Sequence, residues 1–439
     1  MNDHDTTTKR QPTIIFVNRF FYPDQSATAL LLSDLAFHLS AKGWHITVVT
    51  SRHGYDRRTP SLPLREVIGG IHIYRVWSTN FGRSRQLGQM LDYVSVYAAM
   101  VTTLLWVSRR NDVVVVKTDP PMIGFAAGAA TILRGGQVVN WLQDLFPEIA
   151  IALRVKGMGG FLGNLLQTAR RWSIAWASAN VVLGSKMEAF LAWEGIAAER
   201  ITLIHNWADT KDITPIAPED NPLRESWGLR DKFVVGYSGN MGRVHEFNTL
   251  LDAAELLRDD QDIVFLFIGE GYQQPMVKRE VKRRGLARVI FKPYQPREAL
   301  RLSLGVPDVH FISMLPQVEG CAVPSKFYGI AAAGRPTLFV GDQGGELARV
   351  IKSSGCGCVV TIGDATELAH RILFYRDHPA TRQAAGVVAR ILATGRFNKE
   401  AALTVWEGLL VRVLETAEAR VHEPSQVIIP ESASVPIKG

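Results

Sequence analysis

A chain of 439 residues exceeds what one ordinary core fills and suits two or three domains. Nearly half of its residues are apolar and about a fifth are charged, which excludes a mainly disordered protein. The formal charge of +7 favours acidic partners such as nucleotides, phosphates or anionic lipid without ranking them.

From the N-terminus, residues Met1 to Arg10 are polar with no apolar stretch, so no secretory signal is expected and a cytoplasmic protein is. Short runs rich in Val and Ile then alternate with helical patterns. The first half reads as strands at Ile14 to Asn18, Ile46 to Thr50, Ile71 to Val76, Val113 to Lys117, Val138 to Leu142, Val181 to Leu183 and Ile201 to His205. The second half repeats the pattern at Val234 to Ser238, Val264 to Ile268, Ile290 to Phe291, Val309 to Ile312, Thr337 to Val340 and Cys358 to Val360. This alternation predicts an α/β protein with two doubly wound, Rossmann-like parallel sheets of about six strands each, facing one cleft.

The domains are expected at 1–206 and 233–398, joined by a proline- and acid-rich linker at 207–232. A helix over 399–420 and an unstructured tail at 421–439 complete the chain. Three cysteines, with Cys356 and Cys358 too close for an ordinary disulfide, point to a reducing compartment, and no zinc cluster is visible. The longest charge-free apolar stretch, Tyr93 to Ser108, falls short of the roughly 20 residues of a spanning helix. Two segments, Arg83 to Arg110 and Arg154 to Arg171, mix apolar residues with basic ends. They read either as plain helices or as contacts with an anionic inner-membrane surface. No basic stripe interleaved with aromatics marks a nucleic-acid binder.

Ligands of such sheets bind beyond the carboxyl ends of the strands, so the strand-exit loops matter most. The first is Asn18 to Ala29, containing Tyr22-Pro-Asp24. Next comes Trp141-Leu-Gln-Asp-Leu-Phe-Pro-Glu148, where Asp144 reads either as a group that orients an acceptor hydroxyl or takes its proton, or as the cap of the following helix. Glu148 reads as acceptor-binding or as compensation of a helix dipole. His205-Asn206-Trp207 reads as hinge packing.

In the second half, Gly236 to His245 offers Gly239 and Gly242 for close backbone approach, with donors at Asn240, Arg243 and His245. Arg243 is equally readable as a solvated charge. Glu319 is a ligand for sugar hydroxyls or a solvated loop acid. At Pro324-Ser-Lys326 a proline in the first helical turn, the free amides of Ser325 and Lys326 and the lysine charge together suit a phosphate, or else form an ordinary strand-to-helix connection.

Taken together, Tyr22-Pro-Asp24, Thr118-Asp-Pro-Pro121, Asp144 to Glu148, Asn206-Trp207, Tyr237 to Gly242, Ile268-Gly-Glu-Gly271, Val323 to Tyr328 and Ala333-Gly-Arg-Pro336 resemble the retaining glycosyltransferases of family 4. The likeness extends to about Arg420 and is strongest to bacterial members that build capsule, O-antigen or colanic-acid-like polysaccharide. It implies the GT-B fold, a nucleoside diphosphate sugar bound mainly by the C-terminal domain, and a lipid-linked or oligosaccharide acceptor bound mainly by the N-terminal one. No metal or other cofactor is implied.

By position, Asp144 becomes the catalytic acceptor-side group. Gly239, Asn240, Arg243, Glu319, Ser325 and Lys326 become the donor site, and Tyr22, Asp24 and Glu148 the acceptor site. The chain departs from the family in two places. The glutamate that holds ribose is replaced, by Gly329 or Phe327 depending on the register chosen. Asn240 and His245 stand at or near the places of the phosphate-loop arginine and lysine, a loss for which Lys326 compensates. Two other readings are a GT-B epimerase of a UDP-sugar and a non-catalytic GT-B scaffold of a polysaccharide-assembly complex.

Overall fold

The Val- and Ile-rich runs do become strands in the computed structural model, which describes residues 10–54, 62–79 and 86–422. In the first domain these are β1 (Ile14–Val17), β2 (Ile46–Ser51), β3 (Arg65–Ile68), β4 (Ile71–Val76), β5 (Val113–Lys117), β6 (Gln137–Trp141), β7 (Ala179–Val182) and β8 (Ile201–Leu203). The second has β9 (Phe233–Ser238), β10 (Ile263–Ile268), β11 (Val289–Lys292), β12 (Val309–Ser313), β13 (Thr337–Val340) and β14 (Gly357–Val360). Their sheet orders are β3-β4-β2-β1-β5-β6-β7-β8 and β11-β10-β9-β12-β13-β14. Every pairing is parallel except β3 with β4. Strands β1, β2, β5 and β10 are buried along their whole length, as expected where helices cover both faces.

The first sheet is larger than the six strands expected. The unforeseen strand β3 is an antiparallel edge whose residues are half-buried or exposed, so it lacks a continuous apolar run. Its signal was the Gly69-Gly70 pair, both at positive φ, which makes a two-residue hairpin turn between Ile68 and Ile71. Order reverses in each sheet at one place, β1 beside β5 and β9 beside β12.

Residues expected as linker are packed at both ends. Trp207 is buried in the first domain's core and donates from Nε1 to Asp34, 3.0 Å away. Arg224, in the short helix Pro222–Ser226, is buried in an ion pair with Asp308 beneath the second sheet.

The final helix, Lys399–His422, crosses back onto the first domain instead of capping the second. There Leu403, Trp406, Leu409, Leu410 and Val413 enter the core around Ile14, Phe16 and Trp141. Lys399 anchors the crossing between Asp34 at 2.9 Å and Asp209 at 2.6 Å. Residues 1–9 and the expected tail at 423–439 lie outside the described residues.

Of the two segments with basic ends, the first forms the helix Gln86–Val107, which buries Val96, Met100 and Leu104 against the sheet. Arg83 and Arg85 lie outside the described residues. Among those described, no helix is long and apolar enough to cross a membrane, and Cys321, Cys356 and Cys358 are free thiols.

Candidate functional site

On the second-domain side, β9 leads into Gly239 with φ +124°, a conformation that side chains rarely adopt. A Cβ there would stand 2.9 Å from Cε of Lys326, so glycine is what lets the lysine lie across the loop. The helix begins at Lys326, later than the Pro324 expected. Ser325 stands at its N-cap, and its side chain makes no capping bond.

The Lys326 ammonium is not aimed out along the helix axis. It lies 2.8 Å from Nε2 of His245 and 5.3 Å from the centroid of the Tyr237 ring. The imidazole Nδ1 is 2.5 Å from the Ser313 carbonyl and must donate to it, which leaves the Nε2 lone pair to accept from Lys326. Burial, and then the lysine charge, hold His245 down at about 3, so it stays neutral. Lys326 keeps some contact with solvent but sits in a crowded recess, and that lost hydration lowers it to about 7.

Asn240 is exposed beside Gly239, its carbonyl accepting from the Tyr237 hydroxyl at 2.7 Å. Arg243 stands apart from this group. Its guanidinium stacks 3.7 Å over the Tyr272 ring, and with Arg154, Leu153, Gln273, Leu315 and Gln317 it lines an interdomain cavity of about 670 Å³.

On the first-domain side, Asp144 leaves β6 and runs directly against the second domain. Its backbone bridges Ala322, and the Leu145 amide donates to the Cys321 carbonyl at 2.8 Å. The helix that follows starts at Glu148 with Pro147 as N-cap, so Asp144 is not its cap. Asp144 is exposed to solvent at the cleft, although protein crowds around its carboxyl. That crowding, with the charge of Asp119 added, pushes it up to about 6.

Beneath it Lys117 is buried, 3.5 Å over the Trp141 ring and 3.1 Å from the Thr28 carbonyl. Burial drives its pKa well below the usual lysine value, against a smaller opposing pull from Asp119. Lys117, Asp144, Phe125, Asn140, Arg170 and Ser173 share a small cavity of about 40 Å³.

Several expected ligands are committed elsewhere. Glu148 is ion-paired with the buried Arg170, which also binds Glu194, so it is not a free acceptor ligand. Glu319 caps the helix Glu346–Ser354 by accepting from the Glu346 amide at 2.7 Å, with Lys186 at 3.9 Å, rather than lying open to sugar hydroxyls. Asp24 accepts from the Ser26 amide at 2.8 Å and shapes the turn into the helix Ala27–Ala41. Tyr22 is exposed at the exit of β1 and packs edge-on to Phe37.

His205 does pack at the crossing, its ring 5.1 Å from Phe397 and its Nδ1 2.9 Å from the Leu183 carbonyl. Sequence reasoning missed Lys117, Asp119 and Lys186 as members of the site. The available signals were a lysine closing the otherwise all-valine strand β5 and the Thr118-Asp-Pro-Pro121 motif, from which no role was drawn for Asp119.

A family model described as a glycosyl transferase 4-like domain matches residues 29–207, and one for glycosyl transferases group 1 matches 232–377. The chain is 29% identical over 267 residues to the probable glycosyltransferase WbjE of Pseudomonas aeruginosa, covering 60% of this chain and 66% of that protein. It is 26% identical to the putative colanic acid biosynthesis glycosyl transferase WcaI of Escherichia coli K12, covering 50% of this chain and 55% of that protein. It thus spans less than two thirds of either relative. HepE of Anabaena, solved with UDP and glucose, superposes with a TM-score of 0.70 at 18% identity, over 92% of this chain and all of that one. The fold is GT-B.

Proposed function

Because the chain belongs to the glycosyl transferases that join a 4-like domain to a group 1 domain, we propose that it is a hexosyltransferase of cell-surface polysaccharide assembly. In this reading it moves a hexose-type sugar, with retention, from a nucleoside diphosphate sugar to a hydroxyl of a lipid-linked or oligosaccharide acceptor. The observation that carries the reading is the Asp144–Ala322 bridge. It brings the first domain's raised-pKa carboxyl to the loop that, four residues on, supplies Lys326. The UDP and glucose bound by HepE and the polysaccharide role in the name of WcaI support it.

The residues divide the work as follows. Lys326 and the backbone around Gly239 and Asn240 face the diphosphate, and positive charge there stabilises the departing nucleoside diphosphate. His245 holds the ammonium in place from behind. Asp144 orients the acceptor hydroxyl or takes its proton. Calorimetry with UDP-, GDP- and dTDP-sugars, followed by transfer assays that determine the anomeric configuration of the product, tests this assignment. Failure to bind any nucleotide would sink it.

Lys326 allows a sharper test. Its amine is lowered to about 7 in the free protein, and a bound diphosphate stabilises the charged form, so binding raises that value. Donor affinity is therefore highest below about pH 7 and declines as the pH rises above it, with proton uptake on binding. Calorimetry in two buffers of different ionisation enthalpy measures that uptake. Lys326→Ala abolishes it and weakens donor binding by about 1.5–3 kcal/mol, the range for a hydrogen bond to a charged group. A variant that binds as tightly as the wild type removes Lys326 from the site.

A further inference from the structure

The helix Phe161–Trp176 is amphipathic in the reverse sense. Its inward face carries Gly163, Arg170, Ser173 and Ile174, with Arg170 held by Glu148 and Glu194. Its outward face carries Phe161, Leu162, Leu165, Trp172 and Trp176, with Phe161 84% and Trp172 52% exposed. At about 100° per residue these five side chains fall within about 100° of arc along a helix about 24 Å long. A helix of a soluble domain turns such a stripe inward.

No acidic residue lies between Glu148 and Glu188 in sequence, and of the five basic residues there Arg170 and Arg171 are paired with Glu194 and Lys186 with Asp342, which leaves Arg154 and Lys156 without an ion pair among the described residues. Arg154 and Lys156 are exposed in the loop that leads into the helix. Arg171 is exposed at its edge, 3.2 Å from Glu194.

We propose that this face is a docking surface for a bilayer containing anionic lipid, with the helix lying in the interfacial plane. Its aromatic and aliphatic stripe enters the headgroup–acyl boundary, where tryptophan is favoured, and Arg154 and Lys156 meet lipid phosphates. The inner side of the same helix supplies Arg170, Ser173 and Ile174 to the cavity that Asp144 lines. Lipid and the Asp144 cavity are thus one helix thickness apart, about 10–12 Å. On the transferase reading proposed above, on which this step rests, the acceptor is lipid-linked and is delivered from the membrane plane.

The test is flotation of the full chain with mixed phosphatidylglycerol–phosphatidylcholine vesicles and with pure phosphatidylcholine vesicles. The wild type is expected to float with the anionic vesicles, about ten-fold less with the neutral ones, and less again as salt screens the cations. The combined variant Phe161→Ser, Leu162→Ser and Leu165→Ser is expected to lose about 100-fold in partitioning, since all three side chains are exposed and none belongs to a buried cluster. Its nucleotide binding by calorimetry should match the wild type, which shows that it is folded.

Equal flotation of variant and wild type overturns the proposal. So does a wild type that binds no vesicle, whether it stays monomeric or sediments as a dimer that the variant dissociates; the dimer would make the face a contact between copies. A wild type that floats but binds no nucleotide leaves the docking surface standing and removes the transferase reading instead.

Discussion

Replacing Asp144 with asparagine is expected to lower kcat about 10²–10⁴-fold while leaving donor affinity unchanged, the range for loss of a positioned proton acceptor. Asparagine keeps the size and the backbone bridge to Ala322 and removes only the ionisable group. The wild-type carboxyl is raised to about 6 by crowding in the cleft and by Asp119. It accepts a proton only when ionised, so kcat/KM, which falls above about pH 7 as Lys326 loses its proton, should climb through about pH 6 on the acid side. The variant should lose that limb of the profile. A variant with unchanged kcat, or a wild-type profile flat between pH 5 and 8, removes Asp144 from the chemistry.

The second large effect is on stability. Trp406 is fully buried, its ring 4.6 Å from Trp141, although the helix that carries it follows the second domain in sequence. Trp406→Ala should therefore destabilise the first domain by about 3–5 kcal/mol, because the cavity cannot be filled by relaxation of the parallel strands around it. Trp406→Phe should cost much less, since the indole N–H has no hydrogen-bond partner to lose. Denaturant unfolding, followed by the midpoint at constant m-value, reads both. A loss below about 1 kcal/mol for the alanine variant would mean that the helix contributes little to that core.

Much of the fold was legible because its strands are central and parallel. Runs such as Val113-Val-Val-Val-Lys117 are buried on both faces and carry no other reading. The edge strand β3 escaped notice because it buries little, and the destination of the last helix escaped because an apolar stripe says that it packs, not against what. The site was less legible for a similar reason.

Gly239, Asn240 and Lys326 are brought together by two loops leaving neighbouring strands, which topology alone foretells. Glu148 and Glu319 looked available only because their partners, Arg170 and the Glu346 amide, lie 22 and 27 residues away in sequence. A carboxylate near a cleft has the same local sequence whether it meets substrate or an arginine. For the helix Phe161–Trp176 the mix of apolar and basic residues left both a plain helix and a membrane contact open, and which stripe faces the protein was decided by the Arg170 ion pairs.

The polypeptide passes between the domains twice, and the two passages run side by side. His205 touches Phe397, and Asp209 holds Lys399 at 2.6 Å. Two adjacent covalent straps behave like the leaves of a door hinge: they resist twisting and sliding but yield to swinging about the line that joins them. Swinging about that line is thus the relative motion the two straps oppose least, and a crosslink between them should leave it free.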